Sequence, residues 1–262
     1  MRLRILKALL GLVRVRYTAQ VVGIVSVLSI KSNGITTSSF LAITAFLFLC
    51  IALFSYDDAH DHVSDAIAHS KRPIPQGVFT PNQVHLIGSV FLLLGILVAS
   101  ALILAQLLVF LVIVIIGFAV IFVKLNPVLR ATFNASMIFL LFPFTSMRLE
   151  MILFGLIVAL PHIGGSLAKD FLHSKGDETI GLQPPLDWAR YLSSFIFFMS
   201  SGIILLPIVL NLLSWVYIPL IFPTLLSSLI LGRKFLSRQY KRVYIYGGIG
   251  MVSTLVAFAL TI

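Results

Sequence analysis

Eight of the nine acidic residues lie in two short stretches of the chain. The first stretch contains Asp57, Asp58, Asp61 and Asp65, and the second contains Asp170, Asp177, Glu178 and Asp187. A helix advances by about 100° per residue, so Asp57, Asp61 and Asp65 would share one face, as would Asp170 and Asp177. Carboxylates stacked in this way repel one another unless a cation lies between them. Both stretches therefore predict a site for positive charge.

Basic residues accompany both acidic stretches. Lys71 and Arg72 follow the first, Lys169 and Lys175 interleave the second, and Arg130 lies between the two. Magnesium binds proteins through one or two carboxylates together with phosphate oxygens, and arginine binds phosphate in a bidentate manner. Carboxylates beside cations at these spacings therefore predict a site for magnesium and a diphosphate.

The elements that must position these residues are membrane helices. The chain has 262 residues, of which 59% are hydrophobic and 11% charged, and its mean hydropathy is +1.08. Soluble domains carry about 25% charged residues, which excludes that class. A helix crosses the bilayer with about 20 apolar residues. Nine such spans are predicted, at 17–30, 37–56, 84–101, 104–123, 131–147, 149–168, 190–209, 212–231 and 243–261.

The distribution of basic residues predicts the topology. With the N-terminus in the cytoplasm, nine spans place all of the 19 lysines and arginines except Lys31 and Arg148 on the cytoplasmic side. Both acidic stretches follow even-numbered spans, so we expect them on that side as well. Arg14 and Arg16 are expected to anchor the membrane interface rather than to bind a ligand.

Other classes of function are excluded by the same pattern. The basic residues are dispersed among short loops, which argues against nucleic acid as a partner. A single cysteine, Cys50, excludes a disulfide framework or a zinc site within one chain. A CDP-alcohol phosphotransferase requires a D-G-x-x-A-R motif that is missing here. Transporters that bind cations place their carboxylates nearer the middle of the membrane. We expect one domain over residues 1–262.

The first acidic stretch resembles a motif of the UbiA superfamily of intramembrane prenyltransferases. Residues 57–65, D-D-A-H-D-H-V-S-D, followed by Arg72-Pro73-Ile74, resemble the family's N-D-x-x-D-x-x-x-D and R-P-[IL]. Residues 169–181 resemble its second motif, K-D-x-x-D-x-x-G-D-x-x-x-G. Asp57 replaces the leading Asn of the first motif, and His173 replaces the middle Asp of the second. The resemblance covers nearly the whole chain.

The resemblance implies an all-α membrane protein, a nine-helix bundle with a central cavity. It also implies a Mg²⁺-dependent enzyme, an isoprenyl diphosphate donor, a lipophilic acceptor and contact with membrane lipid. The catalytic residues that it implies are Asp57, Asp61, Asp65, Asp170 and Asp177. The metal ligands that it implies are Asp57, Asp61, Asp170 and Asp177, with His173. The diphosphate ligands that it implies are Lys71, Arg72, Arg130 and Lys169.

The sequence leaves the acceptor open. An aromatic quinone precursor is preferred because enzymes of that kind are numerous in the family. Three alternatives stay open: transfer to a glycerol-phosphate-type lipid, a UbiA-type terpene cyclase, and a diverged lipid-binding member without catalysis. His173 bears on the last, because an imidazole in place of a carboxylate removes a hard oxygen ligand for magnesium.

Overall fold

The computed structural model describes residues 2–179, 186–213 and 215–261, with the side chains of 2–6, 16, 67–68, 169, 172–179, 241 and 244 outside the description. Over these ranges the chain is helical, with turns and short loops and no strand. The all-α class is therefore confirmed for the described part of the chain. The chain forms two compact units, Met1–Val123 and Lys124–Ile262.

The first unit contains six helices. They are α1 (Arg2–Val13), α2 (Val15–Asn33), α3 (Thr37–His60), α4 (His62–Ala68), α5 (Pro81–Ala99) and α6 (Leu104–Phe122). Side chains cap the first turns of two of these helices. Thr36 accepts a hydrogen bond from the Ser39 backbone at the start of α3. Thr80 and Gln83 form a reciprocal capping box at the start of α5. These caps satisfy backbone N–H groups that a helix leaves free at its first turn.

The second unit contains six α-helices and a short 3₁₀ turn. They are α7 (Pro127–Thr145), α8 (Leu149–Thr179), α9 (Asp187–Ile203), α10 (Leu206–Val209), α11 (Tyr217–Leu236), the turn Tyr240–Arg242 and α12 (Val243–Thr261). Hydroxyl groups join neighbouring helices. Ser194 of α9 donates to the Gly232 carbonyl of α11 at 2.8 Å, and Thr224 of α11 donates to the Gly250 carbonyl of α12 at 2.8 Å. Such bonds hold helices together where water is scarce.

Each predicted span overlaps a helix, and the span 190–209 overlaps both α9 and α10. Within the described residues, seven helices are long and apolar enough to cross a membrane. The α1–α2 pair is bent by 55° between Lys7–Val13 and Tyr17–Asn33 and supplies an eighth span if it counts as one. A shorter apolar helix, Ile245–Thr261, coincides with the ninth predicted span. The count of nine spans stays a prediction, since the criterion is met by seven helices.

Close packing brings α5 against α3, the helix that carries the first acidic stretch. A Cβ atom at Gly88 of α5 would lie 3.2 Å from the Tyr56 ring and 3.3 Å from the Ala52 carbonyl oxygen. The Tyr56 hydroxyl in turn hydrogen-bonds Ser89 at 2.8 Å. A glycine at position 88 thus allows the approach that fixes the end of α3.

Candidate active site

The first acidic stretch lies across a break between two helices. Helix α3 ends at His60, and Asp61, with φ −88° and ψ 11°, separates it from α4. The backbone spacing is nevertheless preserved. The amide of Asp61 donates to the Asp57 carbonyl at 2.9 Å, and that of Asp65 donates to the Asp61 carbonyl at 2.8 Å. Asp57, Asp61 and Asp65 therefore follow one another at one turn each, as the sequence predicts.

Two arginines bind three of the four carboxylates in this stretch. Arg14 donates to Asp57 at 2.6 Å and also to Asp58. Arg72 donates to Asp58 at 3.0 Å and also to Asp65. Asp58 is the residue that the arginines share, and it is buried. We call these six residues, Arg14, Asp57, Asp58, Asp61, Asp65 and Arg72, the aspartate–arginine cluster.

Arg14 reaches the cluster from the junction of α1 and α2. Its backbone is left-handed, with φ 44° and ψ 57°, and its guanidinium lies 5.1 Å from the centre of the Phe54 ring. The placement of Arg14 at the membrane interface stays a prediction, and the structure adds partners that the sequence did not predict, since its side chain is directed to Asp57 and Asp58. The signal in the sequence was an arginine within an apolar run, which needs an acidic partner.

Arg72 reaches the cluster from a compact turn. The amide of Gln76 donates to the Arg72 carbonyl at 3.1 Å, and that of Gly77 donates to the Ile74 carbonyl at 2.8 Å. Gly77 has φ +66°, a backbone conformation that residues other than glycine rarely adopt. The R-P-I-P-x-G pattern therefore encodes a turn that fixes the position of its arginine.

This turn packs against the first helix. Pro73 is buried, and a Cβ atom at Gly11 of α1 would lie 3.3 Å from the Pro73 ring. Ile74 packs against the buried cluster of Leu12 and Val84, which also contains Ala59. Helix α1 was not among the predicted spans; it packs against the turn that carries Arg72 and ends at Val13, immediately before Arg14. Lys71, a predicted diphosphate ligand, is exposed beside the turn.

Asp61 lies between two other carboxylates. Within the described residues it is the member of the acidic stretch without a salt bridge. Burial, together with the charges of Asp57 and Asp65, raises the pKa of Asp61 to about 6, although His60 and Arg72 act in the opposite direction. A bound cation would reverse this effect, since an opposite charge favours the carboxylate form.

The carboxylates of the first unit have the chemistry that magnesium prefers, but the structure pairs most of them with arginines. Carboxylate oxygens are the donors that magnesium prefers. Yet in the part of the chain that the structure describes, no three His, Cys, Asp or Glu side chains form a group that could hold a metal ion. Oxygens of Asp57, Asp58 and Asp65 are turned to the arginines instead.

Three members of the second acidic stretch, Asp170, Asp177 and Glu178, lie on one continuous helix in the second unit, and the fourth, Asp187, begins α9. Helix α8 runs through Thr179, so the predicted helical register of Asp170 and Asp177 is confirmed for the backbone. Arg130 of α7 forms an ion pair with the buried Asp170 at 3.0 Å. Two of the predicted site residues thus meet. The side chains of Lys169, His173 and Asp177 lie outside the described residues.

Asp187 joins helix ends. It accepts hydrogen bonds from Arg190 at 3.0 Å and from Arg238 at 3.3 Å. The buried Arg190 also donates to the Leu236 carbonyl at 2.8 Å and to the Tyr191 hydroxyl at 2.9 Å. Asp187 and Arg190 therefore tie the start of α9 to the end of α11.

Comparison with known proteins gives a fold. No protein-family model matches the sequence, and no curated protein matches it. Among solved structures, that of digeranylgeranylglyceryl phosphate synthase in membranes matches with a TM-score of 0.74 and 21% identity, over 96% of this chain and 98% of that one.

Two further solved structures are UbiA homologues. The apo protein from Aeropyrum pernix K1 matches with a TM-score of 0.70 and 15% identity, over 94% of this chain and 96% of that one. The protein from Archaeoglobus fulgidus, bound to DMAPP and Mg²⁺, matches with a TM-score of 0.68 and 17% identity, over 97% and 99%. The chain therefore has the fold of UbiA homologues over nearly its full length.

Proposed function

We propose that this chain is a member of the UbiA superfamily and acts as a magnesium-dependent intramembrane prenyltransferase. The observation that carries the proposal is the aspartate–arginine cluster, on a chain whose fold matches UbiA homologues over nearly its full length. One of those homologues binds DMAPP, a prenyl diphosphate, together with Mg²⁺, a metal whose preferred ligands are oxygens such as those of carboxylates. The likeness of fold and the motif chemistry support the same activity independently.

The proposed reaction moves an isoprenyl group from a diphosphate to an acceptor. The bond between the allylic carbon and the diphosphate oxygen breaks, and its electron pair leaves with the diphosphate. An electron pair of the acceptor then forms a bond to that carbon, and the acceptor loses a proton. Magnesium supplies charge neutralisation for the departing diphosphate when it is bound. Exclusion of water by the surrounding helices protects the carbocation.

The site residues take two roles in this proposal. Arg72 binds the diphosphate and is positioned by Asp58 and Asp65, to which it is bonded. The other proposed diphosphate ligands are Lys71, Arg130 and Lys169. The proposed metal ligands are Asp57, Asp61, Asp170 and Asp177, with His173.

In this proposal the chain crosses the membrane nine times, and its N-terminus lies in the cytoplasm. The active site then lies at the cytoplasmic side, and residues 1–262 act as one functional domain. The bias of basic residues supports this orientation.

Two classes of molecule are candidates for the prenyl acceptor. An aromatic quinone precursor remains the first candidate from the sequence. A glycerol-phosphate-type lipid is the second, and the fold match to digeranylgeranylglyceryl phosphate synthase favours it. A panel that contains both classes decides between them.

The test is an assay of purified protein in detergent with dimethylallyl, geranyl, farnesyl and geranylgeranyl diphosphates. Each donor is combined with hydroxybenzoate-type or geranylgeranylglyceryl phosphate acceptors, with Mg²⁺ or with EDTA. We expect pyrophosphate release that needs both Mg²⁺ and one acceptor. The variant D61N should lower kcat/KM by more than about 100-fold, since loss of even an outer-sphere partner of a metal site costs about 10- to 100-fold.

The matched control is R148Q, which removes an exposed charge on the predicted opposite side and should retain full activity. Release without an acceptor, accompanied by a hydrocarbon product, would replace the transferase with a cyclase. Failure to bind any donor with any divalent metal would leave a lipid-binding protein.

A further inference from the structure

The charges of the aspartate–arginine cluster do not balance. The cluster contains four carboxylates, those of Asp57, Asp58, Asp61 and Asp65, and two guanidinium groups, which pair with all of them except Asp61 among the described residues. With all four carboxylates ionised the cluster carries a charge of −2, which one divalent cation would neutralise. The cluster therefore lacks two positive charges, which is the charge of one divalent cation.

The two partners of Arg14 differ in their access to a cation. The Asp57 side chain is 33% exposed, and the Asp58 side chain is 3% exposed. Asp58 is also held by Arg72, so two arginines fix it in place. A cation that enters from solvent can therefore reach Asp57 but not Asp58. Arg14 can release Asp57 and keep Asp58.

The backbone at Arg14 is that of a strained junction. An arginine with φ 44° occupies the left-handed region, which residues other than glycine rarely adopt. Such conformations persist where surrounding contacts hold them. The contacts here are the ion pairs with Asp57 and Asp58, at the point where α1 and α2 meet at a bend of 55°. The junction is thus tied to the state of the carboxylates.

We infer that Arg14 is an internal counter-ion that occupies Asp57 until a divalent cation takes that carboxylate. On binding, the cation displaces the guanidinium from Asp57, Arg14 retains Asp58, and the α1–α2 junction relaxes. This inference rests on the proposed function, because it assumes that Asp57 belongs to a magnesium site. It assigns Arg14 a positioning role that opposes metal binding in the free protein.

The test compares divalent-ion binding and thermal unfolding of the purified full-length protein in detergent. Removal of the competing charge in R14Q should tighten Mn²⁺ binding, followed by EPR, by about fivefold. The same variant should unfold at a lower temperature than the wild type without metal, because carboxylate repulsion is less compensated. Added Mg²⁺ should then raise its Tm by more than it raises that of the wild type.

Two further variants separate charge from backbone. R14G removes the charge and relieves the left-handed strain, so its metal affinity should match that of R14Q while its unfolding temperature lies higher. R14K keeps a charge that is compact and cannot bridge two carboxylates as the planar guanidinium does. Its affinity should lie between that of the wild type and that of R14Q. R14K also serves as the test if R14Q does not fold.

The outcomes are distinct. Mn²⁺ affinity that is unchanged or weaker in R14Q would overturn the inference, since Arg14 would then be a bystander or would hold Asp57 in place for the metal. A gain in R14Q that the D57N change abolishes would support it. If the wild type binds neither Mn²⁺ nor an isoprenyl diphosphate, the proposed function itself fails. Normal binding by the wild type with no effect of Arg14 leaves that function intact.

Discussion

Asp58 is the buried carboxylate that two arginines of the first unit share. It is buried, and each of its two arginine partners comes from a different segment: Arg14 from the α1–α2 junction and Arg72 from the turn after α4. A buried charge is costly unless it is fully paired, so this arrangement stabilises the fold only while both arginines are present. Asp58 also separates the two arginines, which would otherwise repel each other.

A comparison of D58N with D57N tests this role. We expect D58N to lower the free energy of unfolding by about 1–3 kcal/mol, because it removes the buried charged acceptor that Arg14 and Arg72 share. D57N should cost less than about 1 kcal/mol, since Asp57 is partly exposed and engages one arginine. Thermal unfolding without divalent ions measures both. Equal losses would show that Asp58 is no more central than its neighbour.

At the level of the elements, close approach of helices depends on individual glycines. A Cβ atom at Gly164 of α8 would lie 2.4 Å from the buried ring of Phe197 of α9, whereas one at the neighbouring Gly165 would have no atom within 4 Å. Of these two adjacent glycines, Gly164 therefore has no room for a methyl group, whereas Gly165 does.

This difference provides a matched pair of variants. G164A should destabilise the protein by about 1–3 kcal/mol, because the aromatic ring must move within a packed core. G165A should be neutral or slightly stabilising, since alanine favours a helix over glycine. Unfolding temperatures in detergent measure both changes. Similar effects of the two substitutions would mean that α8 and α9 are farther apart than described.

The sequence could predict most of the elements but only part of the site. Apolar runs and the spacing of Asp57, Asp61 and Asp65 are local signals, and the helices that contain them follow from those signals. The pairing of Arg14 with Asp57 joins residues 43 positions apart and depends on a left-handed junction that no turn residue marks. The pairing of Arg130 with Asp170 likewise depends on how α7 packs on α8.

At the level of the whole molecule, the orientation of the chain in the membrane can be tested at exposed residues between the predicted spans. Arg148 and Ser237 are both exposed, and three predicted spans separate them. They should therefore lie on opposite sides of the membrane. Cys50 is the single native thiol and is buried, so it should give little background in a labelling experiment.

Cysteine labelling with a membrane-impermeant reagent checks the orientation. In intact cells R148C should react, and S237C should react only after the membrane is opened. The expected contrast is more than about tenfold, because the bilayer core excludes charged reagents. Reaction of both cysteines from the same side would require an even number of spans between them. That result would contradict the predicted count of nine.

Helix α8 is continuous over 31 residues, which corresponds to about 46 Å of helix. Its register against α7 is fixed at two points, where Asn134 donates to Ser166 at 3.2 Å and Arg130 meets Asp170. One inserted or deleted residue before Ser166 would rotate everything beyond it by about 100°. Insertions and deletions in this part of the gene should therefore be tolerated in loops, but within α8 only near whole numbers of turns.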